Sequence, residues 1–276
     1  MHDQADNNAF AQLVAALEPW LRHVVIVGGW AHRLYRLHSH AQPLEYAPLM
    51  TVDADVAIPS RLPVQGQDLR ERLIGRGFAE ERFGEDKPPA THYQFAKAKS
   101  GFFVEFLTPL TGSEQDRRGQ RKATKRIAGV VSQQLRYLEV LLLAPWAVDL
   151  GDSNGFPLKQ TKTIQIANPV CFIVQKLLIH GRRDQSKSAK DILYIHDTLE
   201  VFGSRIEELN GEWRQRLRQE IHAKTVQKLE RSLAHLFGEL NDVVRQAARI
   251  AAARRLSPEV LLERCRFGLR RIFEAD

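Results

Sequence analysis

The sequence predicts a mixed α/β (α+β) core followed by an all-α C-terminal domain, on three observations. Strand-like alternation and a Gly-Gly turn interleave with short helical patterns over the first part of the chain, whereas from Pro169 the pattern is helical almost without interruption. The 276 residues, 43% hydrophobic and 26% charged, also suffice to bury one large or two modest cores. The domains expected are 1–168 and 169–276.

Taken in order, residues 8–22 carry apolar residues at helical spacing and end at Pro19-Trp20, after which HVVIVGGWA reads as a short buried strand meeting a turn. AHRLYRL resumes a helix, QPLEYAP breaks it, and Thr51 to Ile58 alternates with period two as a second strand. DLRERLIGRGF is a short amphipathic helix closed by Gly77. HYQFAKA and FFVEFLTPL are strand-like around Lys99-Ser100-Gly101, and LRYLEVLLLAPWAVDL with TKTIQIANP suggests a further hairpin. The helical part runs PVCFIVQKLLIHGRR, SAKDILYIHDTLEVFG, RIEELNGEWRQRLRQEIHAK, KLERSLAHLFGELNDVVRQAARIAAARR and SPEVLLERCRFGLRRIF, the last opened by a Ser257-Pro258 cap.

Composition excludes several classes. The longest apolar run, Val140 to Val148, has nine residues and contains Pro145, against the roughly 20 of a membrane helix, so no membrane partner is expected. The start, MHDQADNN, is acidic and polar where a signal peptide is basic and then apolar. Cys171 and Cys265 form neither a disulfide framework nor a CxxC metal site, and a cytoplasmic location fits them. Forty Lys and Arg against 33 Asp and Glu give a net +7 and suit a polyanionic partner. Six bases fall between Arg117 and Arg126 with no acid among the Lys and Arg, which reads either as a solvated helix face or as a contact to nucleic acid or phosphate. His32, His38 and His40 have no fixed ligand geometry and are not expected to hold a metal.

Four features bear on chemistry. Asp53 and Asp55, at i and i+2 on a strand, project from one face about 6–7 Å apart. They are either two solvated acids on an edge strand or a pair with a hard cation such as Mg²⁺ between them. Gly28-Gly29 ends an apolar strand and enters a helix. It is either a tight turn or a place where backbone N–H groups approach a phosphate, and it matches neither GxGxxG nor a P-loop. Glu105 sits in an apolar strand and needs a partner, a metal or a proton. Lys176, Arg182, Arg183, Lys187, Lys190 and Asp191 gather at one helix junction; Lys187 and Asp191, at i and i+4, suit a surface ion pair, and the cations equally suit a triphosphate.

GGWA at 28–31, TVDAD at 51–55, VEFL at 104–107 and the later QKLL and KSAKDILYIHDTL, in that order, resemble the DNA polymerase β-like nucleotidyltransferases over roughly residues 24–202. The helical part resembles the bacterial branch containing AbiEii and MenT toxins. The resemblance implies a mixed-sheet nucleotidyltransferase core with the active site in the cleft to the helical domain. It implies Mg²⁺ or Mn²⁺ held by Asp53, Asp55 and Glu105, and nucleotide contacts at Gly28, Gly29, Thr51, Lys187 and Lys190, with Lys176 and Asp191 as further catalytic candidates. It implies transfer of a nucleoside monophosphate from ATP or another NTP to an acceptor hydroxyl, an RNA and especially a tRNA end, with a cognate antitoxin as a possible partner. The alternatives are a small-molecule or protein acceptor and a non-catalytic nucleotide-binding module. Two departures stand out: Lys190-Asp191 replaces the branch's Arg-Asp pair, and the gap from Trp30 to Met50 is long.

Overall fold

The computed structural model describes residues 2–84, 90–97, 101–115, 119 and 122–274. The chain forms two compact units, one of residues 1–37 and 50–167, the other of 38–49 and 168–276. Among the described residues no helix is long and apolar enough to cross a membrane.

The first unit is built on a nine-stranded mixed sheet. Its strands are β1 (Val25–Val27), β2 (Asp53–Ala57), β3 (Phe78–Phe83), β4 (Ala90–Phe95), β5 (Phe103–Pro109), β6 (Thr124–Ile127), β7 (Val130–Leu135), β8 (Trp146–Leu150) and β9 (Lys162–Ile166). The order is β3-β4-β5-β2-β1-β9-β8. β2 runs antiparallel to β1 and parallel to β5. β4 pairs antiparallel with the first half of β5, and β7 parallel with its second half. The helices are α1 (His2–Leu17), α2 (Gly28–Leu34), α3 (Leu69–Gly75) and α4 (Leu138–Leu141).

Period-two alternation gives the sheet two unlike faces around β2, β5 and β4. Ala54, Val56, Val104, Phe106, Tyr93 and Phe95 are buried. This apolar side shares the core with Phe10, Trp30 and Phe102, Phe10 stacking on Trp30 at 4.1 Å between ring centroids. Each such side chain contributes roughly 1.5–3 kcal/mol of burial. The alternate residues Asp53, Asp55, Phe103, Glu105, His92 and Gln94 are all only partly buried, so the sheet keeps one open, polar face.

The second unit contains α5 (Pro169–Ile179), α6 (Gln185–Val201), α7 (Ile206–Glu212) continued by a π-helical stretch Trp213–Leu217, then α8 (Arg218–Glu220), α9 (Ala223–Phe237), α10 (Asp242–Ile250) and α11 (Pro258–Phe273). Helix α5 is buried from Pro169 to Leu178, as its nearly unbroken apolar sequence requires. Ser257 caps α11 by accepting from the Val260 N–H at 3.2 Å.

Four differences from the sequence reading have physical causes. The stretch 228–255, expected as one helix, breaks after Phe237, and Asn241 caps α10 by accepting from the Val243 and Val244 N–H groups. LEVL, expected within a hairpin, is the short helix α4. The basic run is not a helix face where it is described: Lys125 and Arg126 lie on β6, their heads donating to the carbonyls of Ser60 and Gly129. Arg117, Arg118 and Arg121 lie outside the described residues, as do Lys99 and Ser100. Segment 38–49 packs within the second unit: Gln42 donates to the carbonyls of Val201 and Glu200 at 2.9 and 2.7 Å. This is what fills the long gap before β2.

Candidate active site

Strand β2 carries Asp53 and Asp55 on the open face, one registered beside Phe103 and the other beside Glu105 of β5. The Thr51 hydroxyl donates to Asp53 Oδ1 from just ahead of the strand. On the other side β1 ends opposite Asp55, Val27 being its partner, and the chain turns into α2 through Gly28. Gly28 has φ +63°, and a Cβ there would stand 2.0 Å from Asp55 Oδ2. Only glycine fits, for conformation and for space. The first turn of α2 has no side-chain cap, since Val27 occupies the cap position. Two carboxylates thus share a face, Asp55 lying against the Gly28 turn, and together they are hard-oxygen donors of the kind that suits a divalent cation.

Glu105, expected as a third metal ligand, lies on the same face one strand further along, but its Oε1 is already engaged. His92 Nε2 of β4 meets it, and Gln133 Nε2 of β7 donates to it at 3.3 Å. Register explains both contacts, because His92 pairs with Glu105 and Gln133 with Leu107, two residues along the same face. Among the described residues no three His, Cys, Asp or Glu side chains converge as a ready-made metal cluster. The open face therefore presents the Asp53–Asp55 pair, with Glu105 alongside it.

The cations of the helical unit are arranged differently from the sequence expectation. Lys176 of α5 is buried, its Nζ 2.7 Å from Asp191 Oδ1 of α6 and over the rings of Phe172 and Tyr194. Arg183 Nε lies 2.7 Å from Asp191 Oδ2 without hydrogen-bond alignment. Lys187 does not pair with Asp191. Its backbone N–H is capped by Asp184 and its exposed ammonium lies 3.6 Å from Asp184 Oδ2. Lys190 lies with its Nζ 5.6 Å from the Tyr194 ring centroid.

The family described as Nucleotidyltransferase matches residues 6–218. The chain belongs to that family. Among solved structures, this nucleotidyltransferase is similar to the nucleotidyltransferase toxin MenT4 from Mycobacterium tuberculosis H37Rv, at 13% identity, covering 95% of this chain and 94% of that one, with a TM-score of 0.35. No curated protein matches the chain.

Sequence reading of the nucleotidyltransferase missed His92 and Gln133, which became visible only through the pairing of β4 and β7 with β5. It also missed a buried cluster in the helical unit. There Asp197 Oδ1 accepts from Arg254 NH1 at 2.6 Å and from the Tyr46 hydroxyl at 3.2 Å, with His196 Nδ1 at 3.0 Å. Burial, with Asp197 alongside, holds the Tyr46 phenol protonated far above its ordinary range. The one available signal was IHDTL, an acid and a histidine within the apolar stretch that begins at Ile192 of α6.

Proposed function

We infer that the protein transfers a nucleoside monophosphate from an NTP, ATP among the candidates, to a hydroxyl of an RNA, a tRNA end being the leading choice. The observation that carries this reading is the Asp53–Asp55 pair on the open face of the sheet, with Asp55 against the Gly28 turn, in a chain of the nucleotidyltransferase family. The net charge of +7 supports a polyanionic acceptor.

In this reading Asp53 and Asp55 hold Mg²⁺ or Mn²⁺, and the chemistry that such an ion supplies when bound is neutralisation of phosphate charge and a lower pKa for the acceptor hydroxyl. The Gly28-Gly29 backbone receives phosphate oxygens, Thr51 fixes the Asp53 carboxylate, and Glu105, oriented by His92 and Gln133, takes the hydroxyl proton. The bond from the acceptor oxygen to the α-phosphorus forms, the bond from that phosphorus to the bridging oxygen breaks, and pyrophosphate leaves.

The test is incubation of the protein with Mg²⁺ and total tRNA in the presence of either α-labelled or γ-labelled NTP. The α-label is expected in the RNA and the γ-label in pyrophosphate. Appearance of the γ-label in RNA, or of neither label with any of the four NTPs, would contradict the reading.

A further inference from the structure

The geometry points to a base-stacking platform for the acceptor, formed by the ring row Phe103, His92 and Phe83 beside the carboxylate pair. It rests on the reading above and adds where the acceptor strand is held.

Three strands contribute one ring each on the open face. The His92 ring stacks on Phe103 with centroids 4.6 Å apart and 15° between planes, and Phe83 lies 4.4 Å from His92 at 41°. Phe83 is 44% exposed and His92 about a quarter exposed, whereas the aromatic side chains of the same strands on the other face, Tyr93, Phe95 and Phe106, are buried. Phe83, His92 and Phe103 thus form a continuous row of rings, partly open to solvent, on an otherwise polar face. His92 of β4 stacks on Phe103, and on the other flank of β5 register sets Phe103 beside Asp53 of β2. Among the described residues no further ring stacks there.

Order across the sheet decides what lies on this row. The Gly28 turn is on the β1 side of the carboxylates, and Phe103, His92 and Phe83 follow on the β5, β4 and β3 side. With the leaving pyrophosphate over the glycine turn, in-line displacement brings the attacking hydroxyl from the opposite side. That side carries Glu105 for the proton and, about one strand spacing from Asp53, the first ring of the row. A planar heterocycle continuing the stack on Phe103 places its own sugar hydroxyl near the carboxylates. The acceptor group this selects is the terminal nucleotide of a single strand, since a base inside a duplex has no free face.

The experiment uses the full-length protein and a single-stranded RNA ending in 2-aminopurine, whose fluorescence is quenched by stacking. Wild type is expected to quench it on binding. Phe103→Leu should bind with the fluorescence largely retained, and in steady-state transfer its acceptor KM should rise about tenfold while the NTP KM stays within twofold; Phe103→Tyr, which keeps the ring, should quench like wild type. Thermal melts accompany both, and Phe103→Met serves as the test if Phe103→Leu fails to fold. Unchanged quenching and acceptor KM in a folded variant lacking the ring, or an equal rise in NTP KM, would overturn the platform. Transfer of the α-label only to a small molecule or a protein would overturn it while leaving nucleotidyl transfer intact. Quenching without transfer to any acceptor would leave the platform standing and remove the catalytic reading.

Discussion

Gly28 shows how a single residue constrains the site. Its φ of +63° costs an L-residue about 1–2 kcal/mol, and a Cβ would collide with Asp55. Gly28→Ala is therefore expected to lower stability by at least that amount and to cut turnover more than tenfold by displacing the carboxylate, read by melting and by the α-label assay. A variant as active as wild type would show that the turn does not shape the site. Asp53, Asp55 and the glycines were legible in the sequence because their spacing alone puts the acids on one face and the turn at a strand end. Glu105 was legible as an acid that must be partnered, but its partners were not. His92 and Gln133 lie 13 and 28 residues away in the chain, and only strand pairing selects them.

Between elements, the α5–α6 contact rests on the Lys176–Asp191 pair, both side chains nearly inaccessible. Arg183 also faces Asp191, so Lys176→Ala leaves the carboxylate one cation and should destabilise by about 2 kcal/mol, less than the roughly 3–5 kcal/mol of a wholly uncompensated buried charge, whereas Lys176→Met with Asp191→Leu removes both buried charges and should recover most of the loss. Chemical denaturation checks both, and a stable single variant would argue that Lys176 is free for another role. The β6–β7 hairpin turns on Ala128-Gly129, with φ of 47° and 85°. A two-residue turn with both angles positive favours Asn-Gly, so Ala128→Asn should stabilise by about 0.5–1 kcal/mol, seen as a higher melting temperature. The same alanine explains why this hairpin was not legible: the usual turn signal is absent. β3 was hidden by its charge, FAEERF presenting few apolar residues to an alternation test. The α-helical part was easier, because amphipathic periods and the Ser257-Pro258 cap carry their signal locally, although the break at Asn241 went unread.

At the scale of the molecule, the mixed sheet and the helical unit were legible from the change of period near Pro169, but the excursion of residues 38–49 was not, since its packing depends on Asp197 and Arg254 far along the chain. Both cysteines lie in the helical unit, and burial holds each thiol protonated well above its usual range. Thiol reagents at pH 8 should leave the native protein unmodified and label both on denaturation, which makes Cys171 and Cys265 reporters of that unit's unfolding. Fast labelling of the native state would contradict the burial. Whether Asp53 and Asp55 form the metal-holding centre of a nucleotidyl transfer is tested most directly by titrating Mg²⁺ into wild type, Asp53→Asn and Asp55→Asn and measuring α-label transfer at each concentration. The expected result is saturable Mg²⁺ dependence in wild type and a loss of about 10²-fold or more in each variant at saturating metal, with melting temperatures equal to or above wild type because the repulsion between the two acids is relieved. Near-wild-type transfer by either variant at saturating Mg²⁺, or wild-type transfer undiminished by a chelator, would contradict it.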